Sequence, residues 1–221
     1  MAESNKKQNG VLWLDKAGLS LYLEKKPFIR LNFTPDTVSN LEIIDKLKLE
    51  NLVHSFISQN NLGGISLILI IASDILFEKD WTLPLTDAQV KEEADFIDNV
   101  PFENIVTHTW TKDGKKKLVA VNQDMISVLK VSFEKDEGRI VAVFPYSLFG
   151  ANIRNESVRE IWKKLNALKQ DNLMEINTNQ PVLKSVGSVQ PKSEKKSFLL
   201  PILIVVFVIL IGVLGFLLLK K

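Results

Sequence analysis

Two histidines, no cysteine and a scatter of carboxylates are what this 221-residue chain offers to chemistry. Zinc and haem sites draw on histidine and cysteine in sets, and the two isolated histidines, His54 and His108, speak against both. They also support no Ser/His/Asp arrangement. Asp15, Asp74 and Asp98 stand at spacings that demand no catalysis. Glu92, Glu93 and Asp95 make an acidic patch on one predicted helix, and Lys112 with Lys115–Lys117 a basic hairpin tip. Each reads as solvated surface, although the basic tip could touch anionic lipid or an acidic partner. No phosphate-binding motif of the GxxxxGK[ST] or GxGxxG type occurs. A net charge of +2 invites no nucleic acid. No catalytic, cofactor-binding or metal-ligating residue is therefore expected, and the chain reads as a non-enzymatic protein without a cofactor.

The elements around these residues follow from periodicity. After a polar lead over residues 1–10, Val11–Asp15, the run Leu19, Leu21, Leu23 and the run Ile29, Leu31, Phe33 suit three short strands. Tight joints at Lys16-Ala17-Gly18 and Lys25-Lys26-Pro27 make them an antiparallel meander. A helix is expected over about Ser39–Asn60, with Leu41, Ile44, Leu47, Leu52, Phe56 and Ile57 on its apolar face. His54 falls among them and reads as a core or boundary residue. Ile65–Ala72 is apolar but for Ser66, as in a strand buried on both faces in a parallel position. The order β-β-β-α-β with a buried last strand is that of the first half of a ribonuclease-H-like or actin-like subdomain.

Asp74–Leu83 then suits a strand. A capping box at Thr86–Gln89 opens a helix to about Asn99, with Val90, Ala94, Phe96 and Ile97 as its apolar positions. Ile105–Lys112 and Lys115–Asn122 are two strands joined at Asp113-Gly114, a hairpin signal. Gln123–Glu134 reads as a helix, Arg139–Pro145 as a strand, and a second capping box at Ser157–Glu160 opens a helix to about Gln170. Leu173–Asn177 suits a closing strand. Residues 179–197 are polar, with several Ser and Lys beside Pro181, Gly187 and Pro191, and read as a flexible tether.

From Phe198 to Leu219 no residue is charged. At about 1.5 Å of rise per residue this stretch spans about 33 Å, enough for a hydrocarbon core of about 30 Å. It is expected to be a single transmembrane helix. The start, MAESNKKQNG, has no apolar h-region of a secretory signal. The folded part is therefore expected on the cytoplasmic side, which the lysines at 184, 192, 195 and 196 favour. A cleaved sorting or lipid-anchor signal is the competing reading of such a tail, but it needs a secretory leader and a cleavage context.

The stretch ASDILFEKDWTLP, a helix ending FIDNVPFE, then KKLVAVNQDMISVL and RIVAVFPYSLFG together resemble the PilM family of actin-like type IV pilus assembly proteins. The chain is similar also to the cytoplasmic domain of GspL, the type II secretion counterpart. The residues that carry the likeness are Phe96, Pro101, Phe102, Ala120, Asn122, Val143 and Pro145, within about residues 11–150. The resemblance implies an α/β fold. It would be half of an actin-like (ribonuclease-H-like) fold over 11–178, with a small inserted α+β subdomain at about 84–145. It also implies a membrane-anchored scaffold at the inner membrane. Its partners would be the membrane, a PilN-like single-span protein and a secretion ATPase, with a homodimer also compatible. A degenerate actin-like tether in cell division or envelope organisation is the alternative. Actin-like nucleotide sites use glycine-rich turns, and in the turn Asp15-Lys16-Ala17-Gly18 a lysine and an alanine replace the small residues. Asp15 is accordingly expected to be a strand-end residue and not a nucleotide ligand.

Overall fold

The computed structural model describes residues 8–149 and 153–174. The expected tether at 179–197, the expected membrane helix at 198–219 and residues 1–7 of the polar lead lie outside the described residues. Among the described residues, no helix is long and apolar enough to cross a membrane.

The main sheet is built from β1 (Asn9–Asp15), β2 (Gly18–Leu23), β3 (Ile29–Asn32), β6 (Ser66–Ile71) and β10 (Arg139–Pro145). Its spatial order is β10-β6-β1-β2-β3. β1, β2 and β3 form the expected antiparallel meander. β6 lies parallel to β1 on one side and to β10 on the other. A strand with parallel neighbours on both edges and helices on both faces has no wet side, and all six residues of SLILII are buried.

Alternation along the strands sorts the core into two layers. Leu12, Leu14, Leu19, Leu21, Leu67, Leu69 and Val143 face one way. They meet α1 (Lys46–Gln59) through Leu49, Val53 and Phe56, and α3 (Gln123–Lys135) through Leu129 and Phe133. Val11, Trp13, Ile68, Ile70, Ala142 and Phe144 face the other way, against Val158 and Ile161 of the short α4 (Val158–Lys164). Each such fully buried aliphatic side chain contributes about 1.5–3 kcal/mol over its exposed state.

A second, three-stranded sheet follows β6 in the chain. It comprises β7 (Phe77–Thr82), β8 (Ile105–Lys112) and β9 (Lys115–Asn122) in the order β7-β9-β8, with α2 (Asp87–Asp98) between β7 and β8 in sequence. β8 and β9 have the expected bounds, and Asp113 (φ 52°) and Gly114 (φ 70°) turn between them. Val106, Val119 and Val121 lean on the main core, while Phe77, Phe96, Phe102 and Ala120 form a small cluster of their own. α3 and β10 then return the chain to the main sheet.

Four expectations are corrected. The helix expected from Ser39 begins only at Lys46, where the Asp45 side chain accepts from the Lys48 backbone N–H. Before it, β4 (Val38–Ser39) and β5 (Glu42–Ile43) form a minimal hairpin, because Asn40 and Leu41 sit at positive φ and interrupt any helix. Ile44 (58% exposed) and Leu47 (72% exposed) therefore lie off the buried face, which is Leu49, Val53, Phe56 and Ile57. The strand expected over Asp74–Leu83 starts with a 3₁₀ turn at Ser73–Ile75 and becomes extended only at Phe77. The last helix stops at Lys164 and gives way to turns and a 3₁₀ segment at Lys169–Asp171. The described part of the expected closing strand, Leu173 and Met174, is a turn. It still caps the edge of β10: Leu173 N–H donates to Val143 O, and Val143 N–H to Asn172 Oδ1, both at 2.9 Å.

Candidate functional site

The chain runs outward from β1 through β2 and β3 on one side and then returns to β6 on the other, so the strand order reverses at β1 and β6. In open α/β sheets such a reversal leaves a crevice at the carboxyl ends of the strands, where ligands bind. Here that place is the turn after β1, together with an apolar pocket beside it. Leu14, Ile71, Val38, Leu41, Phe102 and Met125 line the pocket, and Asp15, Lys16 and Asn122 supply its polar groups. The cavity is about 20 Å³, room for one water molecule.

The turn itself is closed from within. Asp15 Oδ1 accepts from the backbone N–H groups of Ala17 at 2.9 Å and Gly18 at 3.1 Å. The Lys16 N–H donates to Asp74 Oδ2 at 3.3 Å. Arg30, on β3, grips the same carboxylate with both terminal nitrogens, each at 2.7 Å, and donates to Ser20 Oγ. The pairing register explains why it can: Gly18 lies opposite Asn32 and Ser20 opposite Arg30, so the meander brings Arg30 back over the turn. Burial pushes the Asp15 carboxyl up, but Arg30 and the two backbone donors outweigh it and hold the group below its ordinary value. Gly18 is required by packing. A Cβ there would lie 2.0 Å from the Leu31 carbonyl oxygen, at φ 149°.

Asn122 joins the pocket to the helix behind it. Its Oδ1 accepts from Met125 N–H and caps α3, while its Nδ2 donates to the Leu41 carbonyl at 3.2 Å. Of the residues carrying the family resemblance, Phe96, Phe102 and Ala120 meet in the small second cluster, with Phe102 edge-on to Phe77 at 5.5 Å. Val143 is in the main core, and Pro145 ends β10. Pro101 is exposed.

The acidic patch is not a solvated surface throughout. Glu92 accepts from Trp81 Nε1 at 2.9 Å and pairs with Lys79, and Glu93 pairs with Lys116 at 2.7 Å. These contacts, with Phe96 edge-on to Trp81, fasten α2, which has no buried residue. Lys79 and Trp81 hold the Glu92 carboxyl below its usual range. Lys117 is taken by Asp80 at 3.0 Å and Glu78 at 3.4 Å. Lys112 and Lys115 remain as the basic tip, without an ion pair among the described residues.

His54 pairs with Asp136 at 2.9 Å on the surface and ties α1 to the α3–β10 turn. His108 is half-buried beside Trp110, and burial lowers its pKa while Asp171 opposes this. Of the three separate aspartates, Asp15 and Asp74 converge on the turn and Asp98 does not. Among the described residues no three His, Asp or Glu side chains could hold a metal ion. Arg30 and Asn122 are the residues that sequence reading passed over as site components. The signal for Arg30 was its position on the polar alternation of β3, opposite Ser20.

No family model and no curated protein matches the sequence. Solved structures do. The cytoplasmic domain of EpsL, an inner membrane component of the type II secretion system of Vibrio cholerae, is similar over 63% of this chain and 57% of its own, with a TM-score of 0.39 and 11% identity. A PilM–PilN type IV pilus biogenesis complex is similar over 62% and 46%, with a TM-score of 0.42 and 11% identity. A Bacteroides thetaiotaomicron protein of unknown function with an actin-like ATPase fold is similar over 63% and 54%, at 0.35 and 14%. This chain thus spans about half the length of the solved chains it matches. Likenesses this distant carry no argument about function, which rests below on the chain's own residues.

Proposed function

We propose that this chain is a membrane-anchored assembly component of a type IV pilus or type II secretion-like apparatus, working by protein binding and not by turnover. The observation that carries the second half of this reading is the closed turn. In an actin-like nucleotide site the backbone N–H groups after the first strand would face phosphate; here they donate to Asp15 and Asp74, and Arg30 neutralises the carboxylate. The adjoining cavity, at about 20 Å³, has room for one water molecule and none for a triphosphate.

The meander, helix and buried parallel strand support half of an actin-like fold, with β7, α2, β8 and β9 as its insertion. The uncharged stretch Phe198–Leu219 supports an anchor in the inner membrane, with the folded part on the cytoplasmic side. The partner would be a short peptide segment of a PilN-like single-span protein, or a secretion ATPase, meeting the rim of the pocket.

A photo-crosslinker at Lys16, on that rim, tests the reading in native membranes. The expected product joins this chain to a single-span membrane protein or an ATPase of such an apparatus. Recovery with no such component would refute the assignment. Millimolar ATP with magnesium should leave the melting temperature of the full chain unchanged, whereas a rise would overturn the reading as a binding protein without nucleotide.

A further inference from the structure

The two larger sheets end in β10, β3, β7 and β8, and three of these edges are guarded against another strand. β10 is covered by Asn172 and Leu173. β3 has four residues and starts just after Pro27. β7 carries Glu78, Lys79 and Asp80 and runs into Pro84. Short strands, charges and prolines keep a free edge from pairing. β8 has none of them from Ile105 to Thr111. It is eight residues long, rich in β-branched side chains, and none of its residues is buried.

The ladder shows which backbone groups this edge offers. Gln123 N–H donates to Asn104 O at 2.9 Å, and the pairing runs on to Lys112 opposite Lys115. Bonded and non-bonded pairs alternate along an antiparallel ladder, so the even-numbered residues of β8 bond to β9. Ile105, Thr107, Thr109 and Thr111 turn their N–H and C=O groups outward, and no described residue bonds to them.

We infer that β8 is a dimerisation edge, pairing antiparallel with β8 of a second copy of this chain in the register that sets His108 against His108. Only in this register do all four outward residues meet outward residues. Ile105 then lies opposite Thr111 and Thr107 opposite Thr109, and each pair exchanges two hydrogen bonds. Between them, Val106 of each copy lies opposite Trp110 of the other. Threonine pairs and aromatic–β-branched pairs are favourable across strands. No like charges meet: Lys112 falls opposite Asn104, and burial keeps His108 uncharged at neutral pH. The strand is complementary to itself, which is what an isologous two-fold contact needs.

The sidedness agrees. A two-fold axis between antiparallel strands stands perpendicular to their sheet, so both bodies lie on one face of it. Val106, Trp110 and Met174 pack on the main core, and the charge of Asp171 reaches His108. The last described turn is therefore on that face in both copies. From there both chains can continue to anchors in one bilayer, where confinement raises their effective concentration. Only this last point rests on the proposed anchor.

The chain has no cysteine, so single introduced cysteines report the pairing directly. Full-length chain carrying His108→Cys, Thr107→Cys or Thr109→Cys is oxidised in phospholipid vesicles. Across the axis the two Cα atoms of residue 108 lie about 4.5 Å apart, whereas residue 107, like residue 109, lies about 9 Å from its own copy. Disulfides need about 4.4–6.8 Å. His108→Cys should therefore give a disulfide dimer, and the two threonine variants none. Thr107→Cys copies mixed with Thr109→Cys copies should crosslink, at about 5.5 Å, and this decides the register should His108→Cys not fold. Adding Thr109→Lys to His108→Cys should slow crosslinking about tenfold. Equal crosslinking at all three positions, none at residue 108 in folded protein, none in the mixture, or a rate untouched by Thr109→Lys would overturn the inference. Failure of the chain to float with the vesicles would remove the anchor alone, and the same pattern read on the full chain in solution would still decide the edge.

Discussion

The Asp15–Arg30 pair offers the most direct check on the reasoning, through Asp15→Asn. The amide keeps the volume of the side chain and one oxygen for the Ala17 and Gly18 N–H groups. It loses the charge that draws two Arg30 nitrogens to 2.7 Å. Both side chains are mostly covered, at 19% exposure for Asp15 and 25% for Arg30. Net hydrogen bonds to charged groups contribute about 1.5–3 kcal/mol, so a loss of about 2 kcal/mol is expected at pH 7. With a urea slope of about 2 kcal/mol per molar, the midpoint should fall by about 1 M. The four tryptophans provide the fluorescence readout. The pH dependence has a definite sign. A carboxyl held below its ordinary value in the folded state stabilises above the unfolded value, about 3.9, and that contribution is lost as pH falls through the folded value. The gap between wild type and Asp15→Asn should therefore hold from pH 7 to about 5 and shrink below about 4. A gap under about 0.5 kcal/mol at pH 7, or one that does not shrink in acid, would refute the account of the closed turn.

Three further outcomes follow from the packing. Gly18→Ala should cost about 3 kcal/mol, since its Cβ would drive into the Leu31 carbonyl and part β2 from β3; chemical denaturation measures it, and a loss under about 1 kcal/mol would contradict the close approach. Asn122→Ala removes the α3 cap and the Leu41 donor together, and should cost about 1–2 kcal/mol, with faster amide exchange in residues 38–43 as well as in the first turn of α3. Glu93→Gln should speed amide exchange across Asp87–Asp98 by about tenfold and leave α1 unchanged, because α2 is fastened by charged contacts and not by burial.

Much of this architecture could be read from the chain because the signals were local. The hairpin at Asp113-Gly114, the capping boxes at Thr86 and Ser157, and the alternation in the meander each depend on residues within a few positions of one another. The buried strand at Ser66–Ile71 announced itself by having no polar residue after its first. What was misread depended on distant partners. Helical spacing counted Ile44 and Leu47 as core, since nothing nearby says that Asn40 and Leu41 turn left-handed; their reason is the pocket and Asn122, 81 residues away. Glu92 and Glu93 looked like solvated surface because Lys79, Trp81 and Lys116 reach them only after β7 pairs with β9. Asp15 was correctly taken as a strand-end residue, but its arginine could be found only through the register of β2 on β3.

Proteins that switch on a bound nucleotide rely on an anion that arrives and departs. The anion at this turn is tethered by its own Cβ, so it is present at every phosphate concentration and at every stage of the protein's life. What the turn offers to its surroundings is therefore a carboxylate already held by Arg30 and two backbone N–H groups already taken.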